Sequence, residues 1–427
     1  MTSLEATGTT APGTTAAGPD PGGAQRRILT VLVISQIFSG VGLAAGVTVG
    51  ALLAQDMLGT TGLAGLPSAL FAAGSALAAI TVGRISQAKG RRPGLAAGYL
   101  AGAIGSAGVI AAAVLDQPVL LFLSLFVYGA GTATNLQARY AGADLAAPAH
   151  RARAVSTVLV ATTLGGVVGP NLVAPTGTLG HALGIPPLAG PFLLAGAAYA
   201  LAALVLAVWL RPDPLLLAHS TADTLPEGPQ APAGKETDRS VPGEGSGGVV
   251  LGALVMILAQ LVMVAIMTMT PVHMHDHGHG TAASGLVIAL HIGSMYLASP
   301  LTGRLVDTCG RRTIAVASGV VLLAAGLLAA LAPADSVSLL ALALALLGLG
   351  WNLGLVSGTA IITDAVPLAT RAKTQGTVDV AIAIAGATGG LASGLVVSAA
   401  GYTVLALAGG VLSLAILPAV VATARTR

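Results

Sequence analysis

The chain has 427 residues, 55% of them hydrophobic and only 8% charged, with a formal net charge of +3. A water-soluble domain of this size carries about three times that share of charge, roughly 25%, so solubility is excluded. Nucleic-acid binding is not expected either, because aromatic residues make up 3% of the chain and are not interleaved with the basic ones.

Residues 1–25 are mostly Thr, Gly, Ala and Pro and are expected to form a disordered cytoplasmic tail. Beyond them, uncharged apolar runs of roughly 20 residues, the length that crosses a bilayer, recur along the chain. Twelve satisfy this, at about 28–54, 62–83, 94–115, 118–138, 154–177, 186–210, 248–270, 281–302, 313–334, 337–362, 378–399 and 402–423. The first run is long enough to span, so no cleavable signal peptide is expected. The polar stretch 212–247, rich in Pro, Gly and Glu, reads as a flexible cytoplasmic linker that divides the spans six and six. The expected fold is therefore an all-α membrane protein with six-helix bundles at 26–211 and 248–427.

With the N-terminus in the cytoplasm and sides alternating, all 19 Lys and Arg fall on the cytoplasmic side. That is the positive-inside pattern, with both termini cytoplasmic. Excess Arg over Lys, with abundant Ala and Gly, suggests a GC-rich bacterial genome, and the expected location is a bacterial plasma membrane. The single cysteine, Cys309, excludes an intrachain disulfide. No catalytic constellation appears, so neither an enzyme nor a cofactor is expected.

In chain order, the first chemistry is the run Gly83, Arg84, Gln87, Gly90, Arg91, Arg92 between spans two and three. Span four ends in Asn135, Gln137 and Arg139, and span five carries Gly165, Gly169 and Pro170, which read as a packing face with a kink. On span seven Met263 and Met267 stand four apart, followed by the tract His273, Met274, His275, Asp276, His277, Gly278, His279. His291 and Met295 stand four apart on span eight. Residues at i and i+4 share a helix face, and thioether and imidazole together suit copper, above all Cu(I). At a rise of about 1.5 Å per residue, Met263 and His291 fall level near mid-bilayer. The outer histidines and Asp276 are candidates for gathering metal at the mouth, and a solvated loop is their alternative. Gly303, Arg304, Asp307, Gly310, Arg311 and Arg312 follow span eight. Span ten carries Trp351 and Asn352, and Asp379 opens span eleven. Asn135, Arg139, Asn352 and Asp379 are candidates for substrate or coupling contacts, or for ion pairs between the halves. No carboxylate is expected mid-helix.

The two halves repeat. Gly83–Arg92 superimposes on Gly303–Arg312, and the same shift places Asp144 on Asp364, Arg151 on Arg371 and Arg153 on Lys373. Parallel six-helix repeats are a transporter architecture with the substrate held near the midplane. The pattern G-R-x-x-x-x-x-G-R-R resembles the signature loop of the major facilitator superfamily. That resemblance implies a twelve-helix alternating-access transporter in which the loop's Asp helps latch the cytoplasmic gate. The second copy keeps it as Asp307, while the first has Gln87, so a weaker or differently built latch is expected there. Met263, Met267, His291 and Met295 also resemble, in type, order and placement, the paired motifs of the bacterial copper importers linked to cytochrome oxidase assembly. That branch has riboflavin-type relatives as well. The leading expectation is a monomer that imports copper as cargo. The alternative is a carrier of a small organic solute, a drug or a riboflavin-like compound, whose cavity those residues line. A metal sensor without transport is a third reading, opposed by the duplicated gate loops.

Overall fold

The computed structural model describes residues 21–58, 66–223 and 244–425. Residues 1–20 of the expected tail, 224–243 of the expected linker with Lys235 and Arg239, and Arg427 lie outside the described residues.

The described residues form helices joined by short turns. The N-half contains α1 (Pro21–Leu58), α2 (Leu66–Lys89), α3 (Arg91–Val114) and α4 (Pro118–Ala143). It continues with α5 (Arg151–Asn171), α6 (Val173–Ala182) and α7 (Gly190–Trp209), and a short α8 (Pro214–Asp223) follows. The C-half contains α9 (Glu244–Asp276), α10 (Thr281–Leu297), α11 (Ser299–Cys309) and α12 (Arg311–Leu331). It ends with α13 (Val337–Ala365), α14 (Arg371–Ser413) and α15 (Ile416–Arg425).

Among the described residues nine helical stretches are long and apolar enough to cross a bilayer, and α10 with α11, bent by 42°, makes a tenth. One of the nine covers Leu368–Thr423 and is broken at Gly401, whose φ of 87° no L side chain adopts easily, so it supplies two spans. The end-to-end pair α5 and α6 supplies the remaining one. This agrees with twelve spans in an all-helical membrane fold.

Three expected boundaries move. Asp379 does not open a helix: α14 starts at Arg371, so Asp379 lies about two turns inside it. The polar residues Arg371–Thr377 look like a loop by hydropathy, yet their backbone is helical because that end of the bundle is packed against the other half. The expectation that no carboxylate sits mid-helix is thereby corrected. His273, Met274, His275 and Asp276 form the last turn of α9 rather than a loop. The stretch expected to be a flexible linker begins with α8, which Asp213 caps by accepting from Leu215 N at 3.0 Å and binds to α3 by accepting from Arg92 N at 2.7 Å.

Helices in lipid lack a hydrophobic drive to associate, so small residues that let backbones touch decide the packing. A Cβ built on Gly74 of α2 would stand 1.7 Å from the Phe126 carbonyl oxygen of α4. Gly40 of α1 and Gly165 of α5 meet the same way, which bears out the packing reading of Gly165. On α14 Gly389 approaches Leu261 O of α9 closely, while Gly394 faces open space. Overpacking a tight contact costs about 1–3 kcal/mol or more. Gly74→Leu is therefore expected to lower the melting temperature in detergent by several degrees, while Gly394→Leu leaves it unchanged. Equal losses in both variants, read by thermal denaturation, would contradict the packing assignment.

Candidate substrate-translocation site

The two repeated loops build one structure twice. Gly90 and Gly310 both adopt a φ of 95°, which turns the chain from one helix into the next. Gly83 and Gly303 serve a different need. A Cβ on Gly83 would lie 2.9 Å from Ala372 O, and one on Gly303 2.8 Å from Ala152 O. Each glycine thus lets its helix touch the start of a helix in the other half: α2 against α14, and α11 against α5.

The acid position completes each contact. Asp307 accepts from Ala152 N at 3.1 Å and from Arg153 N at 3.0 Å, satisfying two unpaired amides at the start of α5. Gln87 does the same for α14: its Oε1 accepts from Ala372 N at 2.8 Å and Lys373 N at 3.4 Å, and its Nε2 donates to Leu368 O at 3.2 Å. The first loop is thus differently built. It lacks the charge that favours a helix N-terminus, but its amide adds a donor that a carboxylate does not have.

The arginines divide by burial. Arg91, fully buried, donates to Asp144 from Nε at 2.7 Å and reaches Gln375 of the C-half. Arg311 pairs with Asp364 at 2.5 Å and donates to Pro148 O of the N-half at 2.7 Å. Arg151 joins the same Asp364, whose side chain is 29% exposed. Arg92 and Arg312 are half-buried, the latter donating to Thr423 O at 3.1 Å, while Arg84 and Arg304 are exposed. The end of the bundle that carries these loops is closed.

Just inside it lies a second buried pair. Arg139 of α4 donates from Nη2 to Asp379 Oδ1 of α14 at 2.8 Å and to Tyr140 OH at 2.9 Å. Its Nε donates to Thr359 Oγ1 of α13 at 3.0 Å, and its guanidinium lies 4.2 Å from the Tyr140 ring centroid. Tyr140 OH also donates to Asp379 Oδ1 at 3.2 Å, while Asp379 Oδ2 has no hydrogen-bond partner among the described residues. Tyr296 of α10 lies within electrostatic reach of Arg139. Its ring meets Trp351 of α13 edge-on at 5.9 Å, and Trp351 Nε1 donates to Gln260 Oε1 of α9 at 2.7 Å.

The structure brings Arg139 and Asp379 together but not Asn135 and Asn352. Asn135 donates to Ser39 Oγ at 2.6 Å inside the N-half, in a network where Gln36 Nε2 donates to its carbonyl at 3.1 Å. Asn352 donates to Met295 O and Ser299 Oγ, each at 2.7 Å, and so spans the bend between α10 and α11. Tyr140, Gln260, Tyr296 and Trp351 were not singled out together from sequence. A Gln inside an apolar run, near an aromatic with a polar tip, is the signal that finds them.

The residues of the expected metal ladder all lie in the C-half. Met263 and Met295 are buried in the hydrophobic core of the C-half, and Met267 packs against it. His291 is fully buried, its Nδ1 bonded to Leu344 O at 2.8 Å and its Nε2 without a partner among the described residues. α13 packs against both α9 and α10, and Gly348 of α13 lets it approach the His291 backbone. At the outer end His273 stacks on Tyr402 at 4.3 Å, His277 stands 4.4 Å from His273, and His279 Nε2 bonds Ala334 O at 2.8 Å. His275 and Asp276 are exposed. Among the described residues no three His, Cys, Asp or Glu side chains form a metal-binding group.

A family model described as Major Facilitator Superfamily matches residues 32–241 and 252–427. The chain is 57% identical over 400 residues to an uncharacterized MFS-type transporter of Bacillus subtilis, covering 93% of this chain and 91% of that protein. It is 32% identical over 365 residues to a riboflavin transporter of Brucella anthropi, covering 83% and 85%. In fold it is similar to the human organic anion transporter MFSD10, with a TM-score of 0.73 at 17% identity over 93% of this chain and 99% of that one.

Removing one partner of a buried ion pair costs about 3–5 kcal/mol, because the other charge is left unpaired. Arg139→Gln is expected to destabilise the protein on that scale, and Arg139→Gln with Asp379→Asn to recover at least half of the loss. Denaturation in detergent measures both, and strictly additive losses would show that the pair is not coupled.

Proposed function

Because the chain belongs to the Major Facilitator Superfamily, we propose that this multi-pass membrane transporter carries a small organic solute with a planar, heteroaromatic part, of which a riboflavin-like compound is the first to test. The observation that carries the reading is the set Gln260, Tyr296 and Trp351 beside the buried Arg139–Asp379 pair. Aromatic faces hold a planar ring, each good pair contributing about 0.5–1.5 kcal/mol beyond buried area. The Gln260 amide, the Thr359 hydroxyl and the charged pair supply donors and acceptors for ring heteroatoms. A site built from apolar walls and a few placed polar groups is the usual form of an organic-ligand site. The 32% identity to a riboflavin transporter supports the same class.

Copper, the cargo expected from the methionines and histidines, has less support. Met263 and Met295 pack in the core of the C-half, as Trp351 does, and the bond of His291 Nδ1 to Leu344 O leaves Nε2 without a partner among the described residues, so the preference rests on the riboflavin transporter among the relatives. The halves 26–211 and 248–427 would rock as two bodies about the pseudo-symmetric contacts. With the basic end cytoplasmic by the charge rule, in a bacterial plasma membrane, the structure has its inner end closed.

Labelled riboflavin uptake and copper accumulation in the same cells, with and without the protein, separate the two readings. Riboflavin uptake is expected, with Trp351→Ala lowering it about tenfold, a loss of ~1.4 kcal/mol of binding. Met263→Leu and His291→Leu are expected to leave copper accumulation unchanged. Copper accumulation that depends on Met263 and His291, with no flavin uptake, would reverse the assignment.

A further inference from the structure

A cavity of about 440 Å³ opens at the basic end between α1 and the start of α5, lined by Gln25, Leu29, Leu145, His150, Arg153 and Ala154 among others. It lies apart from the Arg139–Asp379 site. Its chemistry is divided. Leu29, Leu145 and Ala154 form an apolar wall, while Gln25, His150 and Arg153 bring polar and cationic groups to the rim. Gln25 Nε2 is held by Gly142 O at 2.8 Å, and its buried Oε1 has no hydrogen-bond partner among the described residues. The carboxylate that faces Arg153 is Asp307, at 3.8 Å from Nε, and both oxygens of that carboxylate already accept backbone N–H groups. The Arg153 side chain is 45% exposed, so its guanidinium retains donors for another anion. Arg26 and Arg27 follow Gln25 on α1 and are exposed.

We propose that this cavity binds the phosphate headgroup of an anionic glycerophospholipid. The phosphate accepts from Arg153 and His150, Gln25 accepts from a glycerol hydroxyl, and the start of an acyl chain lies along Leu29 and Ala154. Basic pockets between membrane helices bind anionic headgroups, and Lys or Arg near the surface strengthens the attraction. A free phosphate would use the cationic rim and leave the apolar wall bare. The wall selects a lipid over a soluble anion. The bound lipid anchors the basic end of the N-half to the anionic leaflet.

The test uses the purified full-length chain in detergent, with retained lipid counted by native mass spectrometry as dioleoyl phosphatidylglycerol or dioleoyl phosphatidylcholine is titrated. Phosphatidylglycerol is expected to bind at least about fivefold tighter than phosphatidylcholine. Arg153→Gln with His150→Gln is expected to remove that preference. Lys373→Gln, at the matching position of the other half, removes one exposed charge from the same end and is expected to leave binding unchanged. Thr157→Trp fills the groove from an exposed position without touching a charge and is expected to weaken phosphatidylglycerol binding. Equal losses in the Arg153 and Lys373 variants would mean diffuse surface attraction and overturn the site. Displacement of the lipid by millimolar inorganic phosphate, with Thr157→Trp without effect, would mean a soluble-anion site and overturn the lipid assignment.

Discussion

A buried charge that needs a partner from the opposite half is the constraint on which the closed basic end depends. Arg139 reaches Asp379 and Thr359, and Arg91 reaches Gln375, all across the boundary between halves. Taking an ion out of water costs several kcal/mol even after relaxation. The N-half cannot bury Arg139 alone, because the carboxylate that pairs with it belongs to the C-half, whereas Arg91 keeps its ion pair with Asp144 inside the N-half and adds Gln375 across the boundary. Closure is therefore close to all-or-none: partial separation leaves a desolvated charge without its partner, whereas full separation admits water. The partly exposed pair of Arg151 with Asp364 belongs nearer the class of surface pairs worth about 0–1 kcal/mol. It orients the interface rather than holds it.

The repeat explains why closure takes this shape. One half contributes a helix whose glycine permits contact and whose polar side chain caps the opposing helix; the other half does the same in reverse. Gln87 with Ala372 and Asp307 with Ala152 are the two copies. Near the centre the symmetry touches itself, since Arg139 bonds Thr359, its own counterpart in the other repeat. Symmetry is broken where specificity would reside. The N-half has a guanidinium at that position and the C-half a hydroxyl, and the Trp351–Gln260 contact belongs to the C-half alone. Two copies of one scaffold thus build the closed end, and their differences make the contacts just inside it asymmetric.

The twelve spans and the duplicated loops were legible because hydropathy and charge are read one residue at a time. Bilayer thickness sets the run length, and the cost of moving Arg across lipid sets its side. The gate glycines were legible as a repeated pattern, but their division into turn-makers, Gly90 and Gly310, and contact-makers, Gly83 and Gly303, needs backbone geometry. Asp379 was misplaced because the polar first turns of α14 pack against α2, and tertiary contact extends a helix that hydropathy ends. Local pattern does not contain which helix is the neighbour, and so it did not show that Arg139 meets Asp379 across the repeat.

The methionines show the same limit in its sharpest form. A thioether is both a ligand and a flexible, apolar filler, and spacing of four residues serves either role. What separates the two is the surroundings. A metal path needs donors from adjoining helices converging on one space that water or ligand can enter. Met263 and Met295 lie in the apolar cluster of the C-half that also holds Trp351, and the Met295 backbone carbonyl is engaged by Asn352 at the α10–α11 bend. Tyr296 lies just before that bend, so the Asn352 bonds hold the helix break beside the Tyr296–Trp351 contact. Asn352 thus ties α13 to both sides of the break, next to the aromatic pair on which the organic-solute proposal rests.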